Sequence, residues 1–222
     1  MGSVRFGAPR DLIRWMKDAF VVETFVETGT NHAETAVWAA GVFPNVITVE
    51  GQKTLYDENV ARHGHHKNIS FLLGDTRQHI GTLAKSLNHP AIFWLDAHWC
   101  GGETFGVSSE CPVLEEIEAL NNSTIPHFIL IDDARLFTAP PPPPHAANQW
   151  PDISTICKLL GVHNSNRYVA IMEDVIVAVP NSSKHQFVEY LRRPVAQESV
   201  PAPVDRRSKL RRGLGRIKRA LS

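Results

Sequence analysis

Residues 21–33 read VVETFVETGTNHA, an apolar run that ends in a carboxylate and continues into a turn with one glycine. The run predicts a buried strand over residues 21–27, and the segment after the turn predicts a helix over residues 33–40. Gly29 lets the backbone approach a ligand closely, and the start of a helix offers free N–H groups. The turn is therefore a candidate binding site.

The same pattern recurs along the chain, with strands and helices in regular alternation. Further strands are predicted at residues 45–50 (NVITVE), 69–73 (ISFLL), 91–96 (AIFWLD) and 128–132 (FILID). Helices are predicted at residues 9–20, 52–63, 76–87, 112–121 and 152–160. Such alternation predicts βαβ units and a parallel sheet, and the continuous apolar strands indicate that helices cover both faces.

Two further strands, over residues 168–173 and 175–179, lie too close together for a helical crossover and predict a hairpin. The predicted fold class is therefore α/β, a Rossmann-like three-layer sandwich. Its sheet is expected to have seven strands, mostly parallel, and to end in this antiparallel hairpin.

Carboxylates follow five successive strands, where ligands bind in open α/β sheets. They are Glu27, Glu50, Asp75, Asp96 and the pair Asp132–Asp133. Glu50 follows the turn by about 20 residues, a distance that suits hydrogen bonds from ribose hydroxyls. A dinucleotide site would require Gly-x-Gly-x-x-Gly, whereas this turn has one glycine. The carboxylate before it would repel a pyrophosphate but suit a cationic amino group.

The order of these motifs resembles the class I S-adenosylmethionine-dependent methyltransferases over roughly residues 20–180. The motifs are Glu-Thr-Gly-Thr at 27–30, Val-Glu at 49–50, Gly-Asp at 74–75, Leu-Asp-Ala-His at 95–98 and Ile-Asp-Asp at 131–133. The resemblance implies S-adenosylmethionine as cofactor. It assigns the methionine end to Glu27, Thr28, Gly29 and Thr30, the ribose to Glu50, and the adenine to Asp75 and Thr76. The family usually has glycine where this chain has Ala33.

Asp96, Asp132 and Asp133 offer oxygen ligands of the kind that Mg²⁺ prefers. Their placement resembles the metal-dependent O-methyltransferases of the macrocin type. That resemblance implies methylation of a small-molecule or sugar hydroxyl, with a metal at these three residues activating the acceptor. Adjacent strand residues point to opposite faces, so both members of the pair reach one ion only if the strand has ended. In the alternative interpretation, Asp133 caps a turn and Asp96 alone is functional.

Asp96 is a candidate catalytic residue, and His98 stands two residues after it. The ordinary pKa of histidine lies near the working pH, which makes His98 a candidate general base. Alternatively, it fixes a loop by hydrogen bonding. We expect Arg135 to form a salt bridge with an acid of the same rim. The glycine-rich loop 99–111 predicts a mobile lid, and the loop 137–150, which contains five consecutive prolines, predicts a stiff wall. Trp99 and Trp150 are candidates to line the acceptor pocket.

The chain has 222 residues, with 23 basic and 23 acidic side chains, but the charge is uneven. Residues 205–222 hold eight bases and one acid, which leaves 15 bases against 22 acids elsewhere. The expected division is a methyltransferase-like domain over residues 1–193, with a linker and basic tail over residues 194–222. In the tail an apolar stripe recurs at helical spacing, namely Leu210, Leu214, Ile217 and Leu221.

We expect this tail to dock on a protein or on an anionic membrane surface. It has no aromatic residue to stack on bases, so sequence-specific nucleic acid binding is not expected. The chain has three cysteines and no apolar stretch of membrane-spanning length or signal-peptide type, which predicts a cytoplasmic protein. An oligomer is compatible with the sequence.

Two other functions are compatible with the same sheet. One is another nucleotide-dependent enzyme, such as an oxidoreductase or a hydroxylase, against which the single-glycine turn argues. The other is a non-catalytic partner subunit that keeps the fold and docks through its proline run and tail. Acids at the ends of five strands argue against this second alternative.

Overall fold

The computed structural model describes residues 7–99, 109–161 and 166–193. Seven strands form one sheet: β1 Thr24–Thr28, β2 Asn45–Glu50, β3 Ile69–Leu73, β4 Ala91–Leu95, β5 Phe128–Ile131, β6 Arg167–Met172 and β7 Val175–Pro180. Seven α-helices accompany them: α1 Arg10–Phe20, α2 Glu34–Ala40, α3 Lys53–His63, α4 Thr76–Ser86, α5 Val113–Asn121, α6 Ile153–Gly161 and α7 Lys184–Leu191.

The strand order across the sheet is β3-β2-β1-β4-β5-β7-β6. The first five strands are parallel to one another, whereas β7 is antiparallel to both β5 and β6. The predicted fold class is confirmed, including the terminal hairpin. Because β1 and β4 are neighbours at the centre, the turn after β1 lies beside the end of β4.

Apolar side chains on both faces of the sheet explain why its central strands lack the alternation of a half-exposed sheet. On one face Val26, Phe93 and Ile129 join the helices α4, α5 and α6 in a buried core. On the other face Phe20 of α1 stacks on Phe128, with ring centroids 4.9 Å apart. Helices therefore cover both faces, as the sequence predicts.

The first strand is shorter than predicted, because α1 ends one residue before Val21. Val21 has a left-handed backbone and donates its N–H to Lys17 as the cap of α1, and its side chain is 81% exposed. The strand begins only at Thr24. The helix α7 was not predicted from the sequence; its Phe187 is fully buried and its ring packs against those of Trp15 and Tyr168.

The proline run does not continue as one extended segment. Pro141 is buried, and the chain turns at Pro143 and Pro144 before a short 3-10 turn at Ala147–Gln149. The compact unit that contains the sheet extends to Phe187. The predicted linker and tail, residues 194–222, lie outside the described residues. No helix in the described ranges is long and apolar enough to span a membrane.

Gly29, directly after β1, lies close against Asp96, directly after β4. Its φ angle is +80°, and a Cβ atom at this position would lie 2.3 Å from the Asp96 carbonyl oxygen. The approach is held by backbone hydrogen bonds from Asp96 N–H to Thr28 and from Gly29 N–H to Val49. A side chain is therefore excluded both by conformation and by space.

We predict that Gly29→Ala destabilises the fold by roughly 2–5 kcal/mol, because left-handed backbone and overpacking both add cost. Gly81→Ala is the matched control, since Gly81 lies inside α4 and its added Cβ would meet only Ala119 at 3.6 Å. The control should gain up to about 1 kcal/mol. Chemical unfolding of both variants checks this, and equal stabilities would contradict the assignment.

Candidate active site at the carboxyl ends of the strands

A cavity that is open to solvent lies along the carboxyl ends of β1, β2, β3 and β4. Four of the predicted cofactor residues line it: Gly29, Glu50, Asp75 and Thr76. The two predicted catalytic residues, Asp96 and His98, line it as well. One cavity thus brings together residues that are up to 69 positions apart in the sequence.

The turn after β1 has three residues with positive φ angles, namely Gly29 at 80°, Asn31 at 47° and Ala33 at 60°. Such backbone is rare outside glycine and clusters at ligand sites, where the surrounding structure fixes it. Ala33 is fully buried and has the left-handed backbone that glycine favours. Ala33 thus adopts a backbone conformation that is rare for a residue with a side chain.

Glu27, Thr28 and Thr30 do not line the described cavity, although the sequence predicts all three as cofactor residues. Each is at most 3% exposed, behind the turn. The Thr48 hydroxyl donates to Glu27 at 2.7 Å and lies 2.6 Å from the Thr30 hydroxyl. Burial, reinforced by the charges of Asp96 and Glu50, raises the pKa of Glu27 to about 8 despite the Thr48 hydrogen bond. The three residues support the turn from behind.

Glu50 ends β2 with its carboxylate fixed at the cavity. One oxygen accepts the Asn31 N–H and the other the Gln52 N–H, each at 2.8 Å. Burial raises the pKa of Glu50, whereas these backbone donors stabilise its charged form. Each oxygen keeps further acceptor capacity, so the carboxylate can receive two hydroxyl donors from a ligand.

Asp75 caps α4 and is bound by Arg77, a residue that the sequence analysis missed. The Arg77 side chain donates to both Asp75 oxygens, with Nε 2.9 and 3.0 Å away, and its backbone N–H donates at 2.9 Å. This pairing lowers the pKa of Asp75. Because Arg77 also donates to Ser109 at 3.1 Å, it connects α4 to the segment that precedes α5. A ligand at Asp75 therefore also meets the guanidinium.

His98 lies between two of the predicted acids. Its Nε2 is 2.8 Å from Asp133 Oδ2, and its Nδ1 is 3.6 Å from Asp96 Oδ1. Burial would lower the pKa of His98, but the neighbouring carboxylates outweigh it and raise that pKa. Burial also raises the pKa of Asp96 to about 7, an effect that His98 opposes and the charge of Asp132 reinforces. Asp96 can thus hold or release a proton near neutral pH.

The predicted metal site at Asp96, Asp132 and Asp133 does not form. Among residues 7–99, 109–161 and 166–193, no group of three or more His, Cys, Asp or Glu side chains is arranged to hold an ion. The strand has ended at Ile131, yet Asp133 turns with a φ of 56° and directs its two oxygens to His98 and Arg135. Asp132 instead accepts the backbone N–H of Asp133 at 2.8 Å.

The salt bridge expected of Arg135 is confirmed, with partners on two sides. Its guanidinium is 2.6 Å from Asp133 and also contacts Asp174, which is 3% exposed. The alternative cap function of Asp133 is not observed, because its side chain makes no cap hydrogen bond to the turn at Ala134–Phe137. Asp133 therefore connects His98 to the ion pair of Arg135 with the buried Asp174.

Glu110 fixes the loop 137–150 beside the site. Its carboxylate receives the Ala146 N–H and the Trp150 indole N–H, both at 2.8 Å, and lies 3.2 Å from His145 Nδ1. Burial opposes the charged form, but these hydrogen bonds outweigh it and lower the pKa of Glu110. The wall predicted from the proline run is thus held by one carboxylate, which the sequence analysis missed.

The two predicted pocket tryptophans pack within this wall. Trp150 has its ring centroid 5.5 Å from that of His98, and Trp99 lies 4.9 Å from His145. They are only 6% and 8% exposed, so they support the wall more than they offer surface. Most of the predicted lid, residues 100–108, lies outside the described residues.

The fold is similar to solved structures of methyltransferases. The O-methyltransferase TomG from Streptomyces achromogenes, in complex with S-adenosylmethionine, has a TM-score of 0.54 at 14% identity, over 81% of this chain and 83% of that one. The O-methyltransferase from Bacillus cereus, in complex with S-adenosylhomocysteine, has a TM-score of 0.53 at 13% identity, over 78% of this chain and 82% of that one. The S-adenosylhomocysteine-bound methyltransferase PaMTH1 from Podospora anserina has a TM-score of 0.54 at 12% identity, over 78% of this chain and 79% of that one.

At such identities the similarity concerns the fold. The chain has a Rossmann-like fold, similar to the fold of these methyltransferase structures. No protein-family model and no curated protein sequence matches it.

We predict that the stability of the fold falls as pH rises from about 5 to 8, partly because of Glu27. In the folded chain Glu27 keeps its carboxyl proton up to about pH 8, whereas in the unfolded chain Glu27 releases it near pH 4.5. The folded state therefore binds more protons between these two pH values. One such group lowers the free energy of unfolding by at most about 1.4 kcal/mol per pH unit. Glu27→Gln should flatten this decline, as measured by urea unfolding across that range.

The matched control is Glu58→Gln, which changes an exposed acid on α3 and should keep the slope of the wild type. A Glu27→Gln variant with the wild-type pH dependence would show that Glu27 is not buried in its protonated form.

Proposed function

We propose that this chain is an S-adenosylmethionine-dependent methyltransferase that methylates a hydroxyl of a small molecule or sugar. The observation that carries the proposal is the single cavity that joins the Gly29 turn and Glu50 to Asp96 and His98. The first two features suit the cofactor, and the last two suit an acceptor that must lose a proton. The cofactors bound to the similar TomG and Bacillus cereus folds support the same assignment.

The residues of the cavity fit the cofactor in its chemistry. Glu50 can accept the two ribose hydroxyls, because its oxygens are fixed by backbone donors and retain acceptor capacity. Gly29 allows the methionine end to approach the backbone, which a side chain would block. Asp75, Thr76 and Arg77 lie along the part of the cavity that we assign to the adenine.

Bound S-adenosylmethionine supplies an electrophilic methyl group, whose transfer to the acceptor oxygen forms a C–O bond, breaks an S–C bond and leaves S-adenosylhomocysteine. The protein must take up the hydroxyl proton. We assign that step to the pair of His98 and Asp96, which lines the cavity and in which burial raises the pKa of Asp96 to about 7. Asp133 orients the His98 ring through its Nε2.

No step of this reaction is assigned to magnesium. The two oxygens of Asp133 are engaged by His98 and Arg135, so the donor set for a divalent cation is incomplete. The resemblance to metal-dependent O-methyltransferases thus extends to the sequence motif, whereas the side-chain geometry favours a general base.

The two alternative functions are weaker on specific grounds. An oxidoreductase that binds a dinucleotide would place a pyrophosphate at the turn, which lacks the glycines that such a site requires. A non-catalytic subunit has no need of Asp96 and His98 beside the cavity or of an Arg135–Asp174 ion pair behind them.

We predict that Glu50→Ala weakens binding of S-adenosylhomocysteine roughly 10- to 100-fold, because losing a charged hydrogen-bond partner costs about 1.5–3 kcal/mol. Isothermal titration calorimetry measures the effect. Glu58→Ala on α3 is the matched control and should bind as the wild type does. Unchanged affinity in Glu50→Ala would remove Glu50 from the ribose site.

A second prediction concerns the acceptor step, followed as release of S-adenosylhomocysteine with any hydroxyl acceptor found to react. His98→Asn should lower the rate roughly 100-fold or more, the usual contribution of a general base. EDTA should leave the wild-type rate within about twofold. A rate that EDTA abolishes and Mg²⁺ restores would return the metal function to Asp96, Asp132 and Asp133.

A further inference from the structure

The helix α3 runs beside the cavity and buries a polar residue behind its wall. Among residues 53–63, all of which the structure describes, Asn59 alone is buried, with 2% of its surface exposed. Asparagine is seldom buried to this degree unless its amide has partners. Leu55, one turn earlier on the same face of α3, lines the cavity, whereas Asn59 is not among the described residues of that wall. Any effect of Asn59 on a ligand therefore passes through another residue.

The partner of Asn59 lies in the turn after β1. The Asn59 side-chain amide donates to the Asn31 carbonyl oxygen, which is 2.6 Å from Nδ2 and 28 positions away in the sequence. A carbonyl oxygen only accepts hydrogen bonds, so the amide nitrogen must face it. Because Asn31 lines the cavity, this bond joins α3 to the cavity wall.

Asn31 has a backbone conformation that its surroundings must fix. Its φ angle of 47° lies in the left-handed region, which residues other than glycine seldom adopt. Two hydrogen bonds hold the residue: its N–H donates to Glu50 Oε2 at 2.8 Å, and its carbonyl accepts the Asn59 amide. Only the φ and ψ angles of Asn31 separate these two groups, so fixing the carbonyl restricts the direction of the N–H.

Both donors that orient the Glu50 carboxylate depend on α3. The Asn31 N–H binds one oxygen and is held through Asn59, as described above. The Gln52 N–H binds the other oxygen at 2.8 Å, and Gln52 is the N-cap residue of α3. The position of this helix thus determines how the Glu50 oxygens face the cavity.

We propose that Asn59 is a positioning residue for ribose recognition. By holding the Asn31 carbonyl, it keeps the Asn31 N–H on Glu50 and so directs the free acceptor capacity of the carboxylate toward the two ribose hydroxyls. The inference rests on the proposed function, in which Glu50 binds the ribose. It adds a residue that does not touch the cofactor but sets the preference of the site for an intact ribose.

The test compares two probes that differ only in the ribose hydroxyls, adenosine and 2′,3′-dideoxyadenosine. Ligand-observed NMR with the full chain measures the affinity of each probe, and the readout is the ratio of the two affinities. The wild type should bind adenosine at least about 10-fold more tightly, as expected for hydrogen bonds to a charged group. Partial unfolding weakens the apparent binding of both probes equally, so a purely structural defect leaves the ratio unchanged.

Two variants remove the Asn59 donor in different ways. Asn59→Leu replaces the amide with an apolar group, and Asn59→Asp keeps its shape but has no N–H to donate. Each should lower the preference for adenosine roughly 3- to 10-fold, because Glu50 then loses one fixed orientation.

Asn68→Leu is the matched control. The Asn68 side chain also donates to a backbone carbonyl 28 positions away, that of Ala40, and to the carbonyl of Phe43. Neither Asn68 nor these partners are among the described residues that line the cavity. The control should lose stability in urea unfolding but keep the full preference for adenosine.

A wild-type preference in both Asn59 variants, an equal loss of preference in Asn68→Leu, or complete loss of the fold in both Asn59 variants would each overturn the inference and leave the proposed function intact. A wild type that does not distinguish the two probes would overturn both the inference and the ribose assignment on which it rests.

Discussion

The close passage of Gly29 beside the Asp96 carbonyl joins the two halves of the site. A Cβ atom there would lie 2.3 Å from that oxygen, so the turn after β1 and the end of β4 can meet only through a glycine. The turn carries the candidate cofactor contacts, and the segment after β4 carries Asp96 and His98. Because β1 and β4 are central neighbours in a parallel sheet, this contact places the turn directly beside the segment of Asp96 and His98.

Several acids of the site are buried at a cost to stability. Burial raises the pKa of Glu27 to about 8, of Asp96 and Glu116 to about 7, and of Asp132 to about 6. A fold optimised for stability alone would place apolar residues there. Acids with raised pKa values cluster at functional sites in this way. The ion pair of Asp133 and Arg135 lies beside them.

Strand positions and strand-end acids followed from the sequence because apolar runs and their flanking charges are local features. The bounds of β2 and β3 agree with prediction residue for residue. What the sequence did not reveal are contacts between distant segments: Glu110 binds residues 35 to 40 positions away, and Asp133 turns toward His98. Two features that were missed are local and could have been predicted from the sequence. They are the Asp75–Arg77 spacing at the start of α4 and the acid Glu116 within the apolar stripe of α5.

The central claim is that the cavity along the strand ends holds S-adenosylmethionine. Native mass spectrometry of the purified chain, incubated with an equimolar mixture of S-adenosylmethionine, S-adenosylhomocysteine, NAD and ATP, tests this claim most directly. The account predicts complexes with the first two ligands at one per chain and none with NAD or ATP. A complex with NAD or ATP, or no complex at all, would contradict it.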